Sequence, residues 1–185
     1  MKATILTYSG NYYNYLDPEN SHLNIYDVAH ALSNICRYSG HCREFYSVAE
    51  HSVNVYRLLT DSGCSYEIRK AGLLHDSPES VMLDVVKPLK NLLPDYMALE
   101  EKIELDMAKR FDYQYPLHPT VKWADLMMLN IEQKQIMNNN DKWTTLMLID
   151  EPKTFKIECL APKEAKDRFL TTYKELIKEG MNIGN

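Results

Sequence analysis

The sequence lacks the features that mark secreted, membrane-spanning and metal-ribbon proteins. No apolar run approaches the ~20 residues of a membrane span, and the apolar stretch in MKATILTYSG is too short for a secretion signal. Repeats, low-complexity tracts and linkers are absent as well. Because no secretion signal or membrane span is present, we expect a cytoplasmic location, reduced thiols and no membrane partner. The four cysteines have no C-x-x-C spacing typical of a metal site; they are Cys36, Cys42, Cys64 and Cys159.

An excess of positive charge is also missing. The chain has 21 Lys and Arg residues against 26 Asp and Glu residues, which gives a formal net charge of −5. A duplex-binding protein needs a basic surface, so we expect no nucleic-acid partner, and a small anionic substrate would need a local basic pocket. With 185 residues, 45% of them hydrophobic, the chain fits one soluble globular domain over residues 1–185.

Apolar residues recur at helical spacing through most of the chain, and this predicts an all-α fold. The first helix is predicted over about 26–36, and Ser47 with Glu50 forms a capping box that opens the second. Further helices are predicted to begin near five positions: Ser65, Pro78, Asp95, Thr120 and Pro162. Residues 1–22 are typical of turns and caps, and residues 143–149 fit a short strand or an irregular insertion.

Two successive predicted helices each place a histidine on the buried face. His51 follows Val48 on one face of its helix, and His75 ends an apolar stripe that includes Ala71. One inward histidine is more often a core group than a ligand, whereas two on neighbouring helices favour a metal site. Asp76, directly after His75, adds a carboxylate that can converge on the same cation.

A second carboxylate, Asp125, lies among apolar neighbours in the segment WADL. A buried carboxylate without a partner is costly, so we expect it to be neutralised, salt-bridged or metal-bound. Two imidazoles and two carboxylates would leave one divalent ion with open positions for water and a phosphate oxygen. This ligand set admits Mn, Co, Fe, Zn or Ni, and further Mg or Mn ions could arrive with the phosphates of a substrate.

The order H…HD…D resembles the HD-domain superfamily of metal-dependent phosphohydrolases. The matching motifs are YSVAEHS around His51, LLHDSPE around His75 and Asp76, and VKWADLM around Asp125. The resemblance covers about residues 25–137 and implies an HD-domain helical bundle, on which we expect a C-terminal helix of about 162–179 to pack. It is closest to small phage enzymes that hydrolyse dATP to deoxyadenosine and triphosphate, and to bacterial 5′-deoxynucleotidases.

The resemblance also implies roles for residues around the metal ligands. Glu79, in HD-x-x-E, would be the general acid or base. Arg37 matches a phosphate-binding arginine, although Tyr38 follows it where the bacterial enzymes have Trp. Asp84 matches an aspartate that hydrogen-bonds the sugar 3′-hydroxyl. His41 is expected either to contact phosphate or to be structural.

Two lysines after the site, Lys87 and Lys90, are candidates for binding the outer phosphates of a triphosphate, with solvated surface charges as the alternative. The leading hypothesis is a dNTP triphosphohydrolase that prefers dATP, in which a metal-bound water attacks the α-phosphorus. The alternatives are a dNMP 5′-nucleotidase and a non-catalytic nucleotide-binding HD protein. The resemblance further implies a homo-oligomer, a dimer or a hexamer, located in the host cytoplasm if the gene is of phage origin.

Overall fold

The structure is a computed structural model that describes residues 3–139, 141, 143 and 155–183. It is mostly helical and carries one small sheet. The strands are β1 (Thr4–Leu6) and β2 (Tyr12–Asn14), and the helices are α1 (Ile25–Asn34), α2 (Val48–Asp61), α3 (Tyr66–Leu74), α4 (Glu79–Met82), α5 (Lys87–Lys90), α6 (Pro94–Phe111), α7 (Pro119–Ile136) and α8 (Pro162–Ile183). A 3₁₀ turn over Arg37–Gly40 separates α1 from α2.

Helix α2 is the central element, because it packs against α1, α3, α7 and α8. Most of its residues are buried, as expected for a helix surrounded by others. The Ser47 hydroxyl accepts a hydrogen bond from the Glu50 N–H, which confirms the predicted N-cap but forms only half of the predicted capping box, because the Glu50 side chain bonds elsewhere. The Glu50 carboxylate accepts the N–H groups of Glu158, Cys159 and Leu160, and so fixes the segment before α8 to the central helix.

The helix starts differ from the predictions in small ways. Helix α1 has a complete capping box formed by Asn24 and Asp27. Helix α7 begins at Pro119, and its N-cap is His118, whose ring accepts from the Thr120 N–H, so the predicted cap at Thr120 is wrong. Proline suits the first helical position because the N–H it lacks would have no partner there.

The β-hairpin at the N-terminus corrects the all-α prediction. Thr4 pairs with Asn14 and Leu6 with Tyr12 in an antiparallel ladder. The hairpin is anchored by Tyr13, whose side chain is fully buried and whose hydroxyl donates to Asp106 on α6 over 3.1 Å. Strands of three residues give too short an alternation of polar and apolar residues to be recognised in a sequence.

The segment after His75 is helical in two short pieces. The predicted helix at Pro78 is confirmed as α4, which ends at Met82 and is followed by Leu83 with a φ of 70°. The stretch VVKPLK contains the single turn α5. The C-terminal helix packs on α1, α2 and α3 as predicted. The predicted strand or insertion at 143–149 lies outside the described residues apart from Trp143.

All four cysteines are free thiols. Within the described part of the chain, no helix combines the length and the apolar character that crossing a membrane requires.

Candidate metal centre

Three of the predicted ligands meet where α2, α3 and α7 come together. One ligand atom from each of His51, His75 and Asp125 lies within 4.8 Å of the other two. His51 lies in the first turn of α2, His75 is the C-cap residue of α3, and Asp125 lies early in α7. The cluster can hold a metal ion, and two of its three members come from the helices on which histidines were predicted to face inward.

The two imidazoles are oriented as metal ligands. His75 Nδ1 lies 2.8 Å from the Gly72 carbonyl oxygen, which only accepts, so Nδ1 carries the proton and Nε2 has the free lone pair. His51 Nδ1 lies 2.6 Å from Glu132 Oε1. Neither Nε2 atom has a hydrogen-bond partner among the described residues, although both are buried. Metal-bound histidines donate their other N–H to a carboxylate or carbonyl in this way, so the donor set fits a divalent ion.

The fourth predicted ligand, Asp76, borders this cluster. Its carboxylate oxygens lie 3.5 Å from His51 Nε2 and 3.2 Å from His75 Nε2. Asp125 places Oδ1 at 3.4 Å from His51 Nε2, while its Oδ2 is 2.6 Å from Lys122 Nζ. Both carboxylates therefore face the two unpartnered nitrogens.

The charges of the centre favour an ionised Asp125 and a protonated His51. Burial raises the pKa of Asp125, but His51, His75 and Lys122 outweigh it and hold this pKa well below its usual value. Burial and Arg37 lower the pKa of His51, but Glu132 and Asp125 outweigh them and raise it to about 9. An ion that binds His51 Nε2 must therefore displace a proton at neutral pH.

Glu79 lies next to the cluster at the start of α4. Burial raises its pKa well above the ordinary value, and the negative charges of Asp76 and Asp84 raise it further. Its Oε2 is buried and has no hydrogen-bond partner in the described part of the chain. A carboxyl group whose pKa is raised by burial and by neighbouring negative charge is suited to the role of a general acid.

Arg37 brings a positive charge to the same region. Its guanidinium lies 3.5 Å from Asp76 Oδ2 and 3.3 Å from Glu132 Oε2, and its side chain is only 10% exposed. Burial raises the pKa of Asp84, while Arg37 and the Tyr38 N–H lower it, so Asp84 faces the 3₁₀ turn that carries Arg37. The structure thus groups Arg37, Glu79 and Asp84 around the ligand cluster, and their roles toward a substrate stay predictions.

The lysines and His41 lie further out. Lys90 is half-buried and its Nζ is 2.5 Å from Glu100 Oε1; burial lowers its pKa, but Glu100, Glu79 and Asp76 together raise it. Lys90 is therefore within electrostatic reach of the centre. Lys87 and His41 are exposed, and neither forms an ion pair within the described residues. Their phosphate contacts stay predictions.

Glu132 is the residue that the sequence analysis missed. It is fully buried on α7, where Oε1 contacts His51 Nδ1 and Oε2 contacts Arg37 and the Tyr38 hydroxyl. Burial raises its pKa, but Arg37 and His51 outweigh burial and lower it to about 2. The one available signal was its spacing: Glu132 follows Asp125 by two helical turns and so lies on the same face.

Comparison with known proteins gives relatives but no described family. No family model matches the chain. The chain is 35% identical over 173 residues to the uncharacterized protein YfdR of Escherichia coli K12, covering 93% of the chain and 94% of that protein. It is 33% identical over 137 residues to an uncharacterized protein of Rhodobacter capsulatus, covering 69% of the chain and 70% of the relative.

Proposed function

The chain belongs to the same protein family as YfdR of Escherichia coli, and we propose that it is an HD-domain phosphohydrolase that cleaves deoxynucleotides with the help of one divalent metal ion. The observation that carries the proposal is the pair of buried imidazoles. Both have Nδ1 engaged and Nε2 without a hydrogen-bond partner among the described residues, facing two carboxylates. Two such nitrogens side by side, both facing carboxylates, form the arrangement that a bound divalent ion would satisfy.

We assign His51, His75, Asp76 and Asp125 as the ligands. When bound, a divalent ion of the Mn, Co, Fe, Zn or Ni type would lower the pKa of a water molecule and polarise a phosphoryl oxygen. The two carboxylates would balance the charge of the ion, so that the cationic group left facing a phosphate is Arg37. Its fixed, largely buried guanidinium is suited to hold phosphoryl oxygens in two hydrogen bonds.

Glu79 would act on the leaving group. In hydrolysis at the α-phosphorus, water adds to phosphorus, the bond from phosphorus to the 5′-oxygen breaks, and that oxygen takes up a proton. A carboxyl group whose pKa is raised by burial is suited to give that proton. Asp84, which faces the turn of Arg37, would accept a hydrogen bond from the sugar, as the family resemblance implies.

The substrate we favour is a dNTP, with dATP first, and the products are the deoxynucleoside and triphosphate. Lys90 favours a triphosphate over a monophosphate as the substrate. Its positive charge lies close enough to interact with Glu79 and Asp76, and it could bind the additional phosphate groups. A dNMP 5′-nucleotidase would use the same ligands without the lysine. A non-catalytic nucleotide-binding protein is disfavoured, since it would not need Glu79 held in a raised-pKa site beside four intact ligands.

The product panel separates these functions. Purified protein with added Mn²⁺ or Co²⁺ is incubated with the four dNTPs, their ribonucleotide counterparts and the dNMPs, and nucleoside, triphosphate and inorganic phosphate are resolved. We expect deoxynucleoside and triphosphate from dATP. Inorganic phosphate from dNMPs alone would assign the 5′-nucleotidase function. The absence of turnover with both metals and every substrate would refute the proposal that the protein is an enzyme.

A further inference from the structure

We infer that Glu132 is a positioning residue that holds the metal centre and the arginine turn (Arg37–Gly40) in one arrangement. The inference rests on the proposed function, because it gives Glu132 a role toward the metal and the phosphate. Oε1 lies 2.6 Å from Nδ1 of the ligand His51, and Oε2 lies 3.3 Å from Arg37 and also accepts from the Tyr38 hydroxyl. The Glu132 carboxylate thus contacts both a proposed metal ligand and the arginine turn.

Only a carboxylate satisfies this position. The groups that surround Glu132 are an imidazole N–H, a guanidinium and a phenol, all of them donors, and they divide between its two oxygens. A glutamine here would accept on one side and place its NH₂ group against a donor on the other. A fully buried negative charge is kept in a protein only when such partners neutralise it.

The two contacts act on different parts of the site. The bond to Nδ1 fixes the ring of His51 so that Nε2 points at His75 and Asp125, as in other carboxylate–histidine–metal arrangements. The bonds to Arg37 and Tyr38 hold a turn whose backbone is unfavourable: Tyr38 and Ser39 have φ values of 55° and 52°, in the left-handed region. Without Glu132 as the partner of Tyr38 and Arg37, we expect this turn to leave the left-handed conformation and the guanidinium of Arg37 to move.

The first experiment measures Mn²⁺ affinity above pH 9, where protons compete little for His51, without substrate and by competition with a chelator. We expect Glu132→Gln to bind Mn²⁺ about 10- to 100-fold more weakly than the natural protein, the loss typical of a removed partner of a metal-bound histidine. The matched control is Tyr38→Phe, which removes only the phenol contact and should keep Mn²⁺ affinity within about twofold by the same reasoning. Affinity of Glu132→Gln equal to that of the natural protein would overturn the inference.

The second readout does not need the variant to fold. In natural protein loaded with Zn²⁺, ¹⁵N NMR of the histidine rings reports which nitrogen carries the proton. We expect His51 to be protonated at Nδ1 and bonded to a carboxylate, and a proton on Nε2 would overturn the inference. Because neither readout involves hydrolysis, a protein that binds metal as predicted but turns over no nucleotide refutes the proposed function alone.

Discussion

The affinity of the centre for metal should depend on pH in a way that ordinary histidines do not produce. The pKa of His51 is about 9 in the metal-free protein, because Glu132 and Asp125 outweigh the opposing effects of burial and Arg37. Below pH 9, a metal that binds Nε2 displaces one proton. Affinity should therefore rise about tenfold for each pH unit, or about 1.4 kcal/mol.

The size of the increase in affinity follows from the pKa of His51, because the break in the pH profile, where the rise in affinity ends, lies at that pKa. Between pH 6.5 and 9 the apparent affinity for Mn²⁺ should increase by about 300-fold, since 2.5 units of tenfold gain accumulate, and it should level off above pH 9. A histidine with an unperturbed pKa would level off near pH 6.5. The measurement is a series of Mn²⁺ titrations of chelator-treated protein from pH 6 to pH 10.

Glu132→Gln serves as the control for the cause of the shift. It removes one of the negative charges that raise the pKa of His51, so the break should move to lower pH. An affinity for Mn²⁺ that stays constant between pH 7 and 9 in the natural protein would refute the reasoning, because it would mean that His51 is already neutral or is not a ligand.

Three further predictions concern single residues. Glu79→Gln should keep Mn²⁺ binding and lower kcat by about 10²- to 10⁴-fold, the usual contribution of a general acid, and unchanged turnover would remove Glu79 from the mechanism. Asp125→Ala should contain no bound metal after purification, as measured by elemental analysis, since the Asp125 oxygen completes the cluster. Full occupancy by metal would refute the ligand assignment. Tyr13→Phe should lower the free energy of unfolding by about 1 kcal/mol through loss of its bond to Asp106, measured by denaturant titration, and a variant as stable as the natural protein would contradict that role.

The members of the candidate metal cluster could be predicted because each one lies in or next to an apolar stretch of the sequence. His51 lies on a buried face of α2, His75 follows a buried apolar run at the end of α3, and Asp125 lies among apolar neighbours in the sequence. Helical periodicity fixes the face on which a side chain lies, so polar residues on buried faces are visible in a sequence. Which of them meet in space still depends on how the helices pack.

Glu132 shows what periodicity leaves out. Its partners Arg37, Tyr38 and His51 come from other elements about 80 to 95 residues earlier, and nothing local in NIEQKQ distinguishes a buried glutamate from a solvated one. The same limit applies to Glu50, which was predicted as a helix-capping residue and which the fold uses to hold the N–H groups before α8. Contacts between distant segments are determined by the tertiary structure.

The shortest elements were the other source of error. The strands of the hairpin have three residues each, and α5 has four, so each is too short to repeat the pattern of polar and apolar residues that would reveal it. The hairpin depends on one buried side chain, Tyr13, and on its partner Asp106 in a distant helix. Such elements form because the surrounding helices provide a surface for them.

The central claim is that one metal ion, held at His51, His75, Asp76 and Asp125, is required for hydrolysis. The most direct test adds Mn²⁺ stepwise to chelator-treated protein and follows bound metal and dATP hydrolysis in the same samples. We expect no hydrolysis without metal, and a rate that rises in proportion to occupancy of this site until one ion per chain is bound. Full hydrolysis by the metal-free protein, or a fully occupied site without hydrolysis of any deoxynucleotide, would contradict it.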